Sequence, residues 1–185
     1  MTIELPESLT DGDVVLRRLR AGDAEAYVAA FRADPHLGRL LGMEDDPDEA
    51  TVRERAGRLP GLAAEGKLVE LAISDPADDA FLGSMMLHSF DGAHRRCEVG
   101  FWLVPAARRR GLGSRAVGLA VSWALDALDL LRVEMTTTPD NAPVFALARR
   151  LGFAQEGVLR KRNVERGVRV DVVWFGVLRE DWAGR

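Results

Sequence analysis

The chain has 185 residues, of which 47% are hydrophobic and 29% charged, the balance of one soluble globular domain. This excludes a disordered chain, a collagen-like repeat and a coiled coil. A domain near this size hides roughly 70% of its unfolded surface, enough for a core without staples. The net charge of −4 is unevenly placed: residues 1–92 carry 9 basic and 19 acidic side chains, residues 93–185 carry 16 and 10.

An acidic total argues against a nucleic-acid partner. The basic second half suits one compact polyanion, with an uneven solvated surface as the plain alternative. A single cysteine, Cys97, rules out an intramolecular disulfide and a Cys-rich zinc module, and His36, His88 and His94 lack metal-ligand spacing, so no metal is expected. The first residues contain no apolar run, and no stretch approaches a membrane span. The expectation is a cytoplasmic protein with no membrane partner.

Val14–Arg20 alternates apolar and basic residues and reads as a strand. Ala21–Asp34 reads as a helix stopped by Asp34-Pro35, and Pro47–Leu59 as a second helix with Asp46 as a possible cap. Leu68–Ile73 and Phe81–His88 form a hairpin, and Glu98–Val104 is the next strand after the turn at Asp91-Gly92. Gly111–Leu128 is the strongest helix, with an expected stripe of Leu112, Ala116, Leu119, Trp123 and Ala127. Arg132–Thr137 is a strand and Ala142–Leu151 a helix ending at Gly152. Phe153–Lys161 and Val168–Leu178 make a last hairpin turning near Glu165–Gly167. This order describes one α/β domain of α+β type with a mixed, mostly antiparallel sheet.

The informative segment is the strand-to-helix junction Val104–Arg115. Arg108, Arg109 and Arg110 precede Gly111-Leu112-Gly113-Ser114, which opens the long helix. A helix N-terminus offers unpaired N–H groups and a positive dipole end, glycine lets an anion approach them, and arginines add charge-assisted bonds to phosphate. The segment reads as a pyrophosphate cradle, with a glycine turn on a solvated basic face as the bland alternative. Residues 111–116 also match a GxGxxA dinucleotide fingerprint, with Glu134 near the spacing of its ribose-binding acid. Six residues separate the strand from Gly111, however, where that fingerprint needs its glycine directly after the strand.

Arg108-x-x-Gly111-x-Gly113 resembles the R/Q-x-x-G-x-G/A signature of the GNAT superfamily of acetyl-CoA-dependent N-acetyltransferases. Glu98–Leu103 (EVGFWL), Pro139-Asp140-Asn141 with Leu151-Gly152-Phe153, and Gln155–Arg160 resemble motifs of its RimJ/RimL branch, in the same order. The likeness covers about residues 13–181, taken as the N-acetyltransferase domain, with 1–12 as an N-terminal extension. It implies a GNAT fold in which Glu98–Val104 and Arg132–Thr137 splay apart around acetyl-CoA. Leu103 and Val104 would pair with the pantetheine arm, and one of them would polarise the thioester through its N–H. The backbone of Arg109–Ser114, with Arg108, would hold the pyrophosphate, and Asn141 would bond the arm. Phe145 would flank it unless it is plain core.

The implied reaction is acetyl transfer to a primary amine, either a protein N-terminal α-amine or a small-molecule amine. The base would be Glu98 or His88, with Asp91 and Glu134 left open, and Asp171 falls where the branch often has an acid. The usual proton donors are missing: the tyrosine position is Ala148 and the serine position Val144. That departure keeps a non-catalytic acyl-CoA-binding module as an alternative. Glu44-Asp45-Asp46 with Asp48-Glu49 would suit a cationic acceptor or simply cap a helix, and a homodimer is compatible with the family.

Overall fold

A computed structural model describes residues 1–34, 37–40, 46–165 and 167–182. Glu44 and Asp45, two of the five residues of the acidic run, lie outside the described residues. Among those described, eight strands form one sheet in the order β1-β2-β3-β4-β5-β6-β8-β7. The strands are β1 Ser8–Thr10, β2 Val15–Arg18, β3 Leu68–Ser74, β4 Phe81–Asp91, β5 Arg96–Leu103, β6 Arg132–Thr137, β7 Ala154–Glu165 and β8 Val168–Leu178. The helices are α1 Ala24–Ala33, α2 Leu37–Leu40, α3 Glu49–Ala64, α4 Leu112–Asp126 and α5 Ala142–Leu151. Every neighbouring pair is antiparallel except β5 with β6. No described helix is long and apolar enough to cross a membrane.

Alternation along the central strands divides the core between two faces. Val69, Leu71, Ile73, Met85, Leu87 and Val99 pack on one side with α4. Ala72 and Trp102 pack on the other beneath α1 and α3, where Trp102 meets the Tyr27 ring edge-on at 4.9 Å.

Several elements differ from the sequence reading. β1 precedes the expected first strand and pairs with it, and Ile3 and Leu5 are buried just before it. The second helix is capped by Asp48, which accepts from the Thr51 amide at 2.7 Å, in place of Asp46. It also runs through Pro60 to Ala64, because Leu59 and Ala63 stay anchored in the core. Of the expected α4 stripe, Leu112 and Ala116 are buried, together with small residues such as Gly113, Ala120 and Ala124, while Ala127 is exposed. Small residues let this helix lie close on the sheet, so Leu119 and Trp123 flank the contact rather than form it.

Candidate active site

The single parallel pair sets the geometry. β5 and β6 are matched only over Arg96–Glu98 and Arg132–Glu134, and both strands then run on without pairing to each other. Glu134, wedged between two arginines, fastens the closed end: it accepts from Arg96 Nη1 at 2.9 Å and from Arg132 Nε at 2.8 Å. The gap beyond opens into a cavity of about 600 Å³. Glu98, Gly100 and Phe101 line one side, and Thr136–Thr138 with Asn141 the other.

Register decides which backbone groups face this gap. Val104 N–H donates to the Leu82 carbonyl at 2.9 Å. Even-numbered residues of β5 therefore bond to β4, and the amides of Val99, Phe101 and Leu103 turn towards β6. Val104, expected to supply a backbone N–H to the ligand, is already engaged. Phe101 takes its place in the gap beside Leu103, a substitution visible only once the register is known. The Leu103 carbonyl, which shares the gap side with its N–H, accepts from Arg108 Nε at 2.9 Å.

At the mouth of the gap a short turn, Pro105–Ala107, leads to Arg109 (φ 61°) and Gly111 (φ 81°), and α4 begins. The left-handed Gly111 lets the chain enter the helix abruptly. The first amide to turn back is that of Ser114, onto the Gly111 carbonyl at 3.1 Å, so the earlier N–H groups are those a helix start leaves open. A Cβ on Gly113 would stand 3.0 Å from the Phe101 ring, so glycine sets how closely helix and strand approach.

Arg108, grouped by sequence with the cradle, braces it instead: besides Leu103, it pairs with Asp34 at 2.6 Å. Arg109 and Arg110 are exposed and have no carboxylate partner among the described residues. A second cavity of about 580 Å³ lies against this helix start, lined by Arg110, Gly111, Ser114 and Arg150. The sequence reading missed Arg150, a surface position of α5 that only the packing of α5 beside α4 brings here.

His88 and Glu98 stand directly opposite each other on β4 and β5, and both line the larger cavity. Thr136 donates to Glu98 across the gap. His88 Nδ1 meets Ser89 Oγ at 3.0 Å, and its Nε2 lies over Gly100. The other acids left open by sequence are elsewhere. Asp91 sits in the turn, its carboxyl held down at about 2 chiefly by the His94 N–H and side chain, with Arg96 adding to the effect. Glu134 is buried between its arginines and outside the cavity lining. Asp171 accepts the Lys161 amide at 2.9 Å within the last hairpin.

Asn141 lines the cavity with a side chain that caps nothing. Phe145 packs edge-on against Phe175 at 5.2 Å, the plain-core reading. Ala148 is fully buried and Val144 is apolar, so neither position holds a proton donor. Tyr27, the only tyrosine, is a buried residue of α1, where burial first and the charge of Glu70 second push its hydroxyl up. Burial likewise pushes the Cys97 thiol up to about 12.

A sheet parted beside a glycine-started helix is the architecture of an acetyltransferase domain. It superposes on RimJ from Mycobacterium smegmatis, solved in complex with CoA-disulfide, with a TM-score of 0.86 and 24% identity, over 97% of this chain and 91% of that one. A family profile described as "Acetyltransferase (GNAT) domain" matches residues 13–154, and the chain belongs to that family. Among relatives, the uncharacterized N-acetyltransferase p20 of Bacillus licheniformis is 26% identical over 96% of this chain and 99% of its own length. The N-acetyltransferase YoaA of Bacillus subtilis, also uncharacterized, is 26% identical over 90% of this chain and 93% of its own.

Proposed function

We propose that this GNAT acetyltransferase moves the acetyl group of acetyl-CoA to a primary amine, a protein N-terminal α-amine or a small-molecule amine, by direct attack in a ternary complex. The observation that carries this reading is the parted β5–β6 pair, with unpaired amides at Phe101 and Leu103 leading to the open N–H groups that start α4. An extended arm with its own amides fits the first as an added strand. A pyrophosphate fits the second, flanked by Arg109, Arg110 and Arg150. Gly111, Leu112, Gly113 and Ser114 supply the backbone there, and Asn141 bonds the arm from the opposite wall.

When bound, acetyl-CoA supplies an acetyl thioester already activated for transfer. The Phe101 or Leu103 N–H donates to the thioester oxygen and stabilises the charge that develops on it. Glu98, steadied by Thr136, takes the proton from the attacking amine directly or through water, and His88 opposite is the second acceptor. Gly100, beside the His88 ring, carries no side chain and leaves room for the amine. Direct attack is favoured because Cys97 is buried and held as a neutral thiol, unsuited to carry an acyl group. No side-chain donor stands at Ala148 or Val144, and a coenzyme thiol with a pKa of about 8.5 leaves without one.

That same absence favours the second reading, a module that binds acyl-CoA without turnover. Release of free thiol from acetyl-CoA in the presence of a primary amine separates the two. Glu98→Gln should lower kcat by about 10²- to 10⁴-fold with the KM for acetyl-CoA little changed. Turnover that is indifferent to Glu98 would remove it as the base, and no thiol release with any amine would favour the binding module.

A further inference from the structure

The acceptor end of the larger cavity holds a polar assembly that the proposed transfer does not use. Glu70, on β3, is completely buried. Its Oε1 accepts from Ser84 Oγ at 2.8 Å, and its Oε2 accepts from Arg55 Nε at 2.5 Å. The Tyr27 hydroxyl lies beside it and is kept protonated by burial and by the Glu70 charge. A carboxylate taken wholly out of water is costly unless it is paired, and here one residue supplies the opposite charge. Arg55 comes down from α3, and part of its side chain lines the cavity.

The guanidinium carries five N–H donors in a rigid plane. The Nε–H is taken by Glu70, which fixes the orientation of that plane. Among the described residues the two terminal nitrogens take no partner. The buried glutamate thus holds a forked donor at the wall of the cavity in which Glu98 and His88 face the amine.

We infer that Arg55, oriented by the buried Glu70, is a specificity-determining residue that bonds an oxygen carried next to the acceptor's amine, so that the acceptor is an α-amino compound. The inference rests on the transfer reading above and narrows it. A polyamine offers N–H groups and positive charge, which would set cation against cation at Arg55. A carboxylate or a peptide carbonyl close to the amine offers lone pairs to the fork. Both sources share the same chemistry at Arg55. Glu70 acts through Arg55 and is a positioning residue.

The test is steady-state acetyl transfer by the full chain to four acceptors: an amino acid, its amide, a tripeptide with a free N-terminus, and spermidine, with butylamine as the oxygen-free control. At least one α-amino acceptor should exceed spermidine and butylamine by tenfold or more in kcat/KM. Preference for the amino acid would identify a carboxylate as the oxygen, and preference for its amide or the tripeptide a carbonyl. Arg55→Lys keeps a cation for Glu70 but removes the fork. It should raise the KM for the preferred acceptor about tenfold while the KM for acetyl-CoA stays put.

Spermidine or butylamine turned over as well as the α-amino acceptors would overturn the inference in the unaltered protein, whatever the variant does. An unchanged acceptor KM in Arg55→Lys would overturn it too. If acetyl-CoA raises the unfolding midpoint but no amine in the panel is acetylated, the α-amino assignment fails while the cofactor site stands. If acetyl-CoA has no such effect, the transfer reading itself fails.

Discussion

Asp91 and Glu98 are carboxylates on the same β4–β5 ribbon, and their surroundings give them opposite uses. Asp91 faces the N–H and ring of His94 and the guanidinium of Arg96, and these favour its charged form. Its pKa of about 2 lies below the ordinary 3.8, so its contribution to stability is present above about pH 4 and fades as pH falls towards about 2. Asp91→Asn should accordingly melt below the unaltered protein near neutrality and together with it at about pH 2, read as thermal midpoints across that range. An equal gap at both ends would mean that the effect is not ionic. Glu98 has a hydroxyl from Thr136 and an open cavity before it, the setting that the proposed base requires. The sequence offered four candidate bases because residue type and strand position do not say which partners a carboxylate meets. Two of them fell once Arg96, Arg132 and His94 were placed. Arg55 and Arg150 escaped notice for the same reason: on helical periodicity each is a solvated arginine, and only the tertiary contact with Glu70 or with the start of α4 gives it a role.

At the scale of elements, the site depends on β5 staying bonded to β4 while it parts from β6. Gly83 shows how tight the first contact is. A Cβ there would lie 2.1 Å from the Trp102 carbonyl oxygen and 2.9 Å from Leu103 Cα, backbone atoms that cannot swing aside. Gly83→Ala should cost about 2 kcal/mol or more by urea unfolding and weaken acetyl-CoA binding, since it pushes on the residues whose amides face the gap. Loss of stability with unchanged affinity would show that β5 can move without disturbing the gap. The strands of this ribbon were legible in the sequence because their apolar runs are long and alternate between two buried faces. β1 was not, since three residues of mixed polarity carry no period. The choice of Phe101 over Val104 was also hidden, because strand register follows from pairing and not from composition.

Across the whole molecule, part of the basic surplus of residues 93–185 is neutralised in place. Arg96, Arg108, Arg115, Arg132 and Arg179 each pair with a carboxylate. Arg109, Arg110 and Arg150 have no such partner among the described residues, and Arg110 and Arg150 line the cavity at the start of α4. Part of that imbalance therefore lies at the start of α4, where a polyanion would sit, and part on the last hairpin, where the side chains of Arg160, Lys161, Arg162 and Arg169 also lack a carboxylate partner among the described residues. The glycine motif marked the first place while Arg150 lay outside it. The central claim is that this helix start holds the acetyl-CoA pyrophosphate. The most direct measurement is thermal unfolding with and without acetyl-CoA for the unaltered chain, Gly111→Asn and Gly111→Asp. The two variants share the strain of a side chain at positive φ and differ in charge. At about 100 times the dissociation constant, acetyl-CoA should add about 2.7 kcal/mol and raise the midpoint of the unaltered chain by roughly 5–10 °C. Gly111→Asn should keep part of that rise and Gly111→Asp should lose it. No rise in the unaltered chain, or an equal rise in Gly111→Asp, would contradict the account.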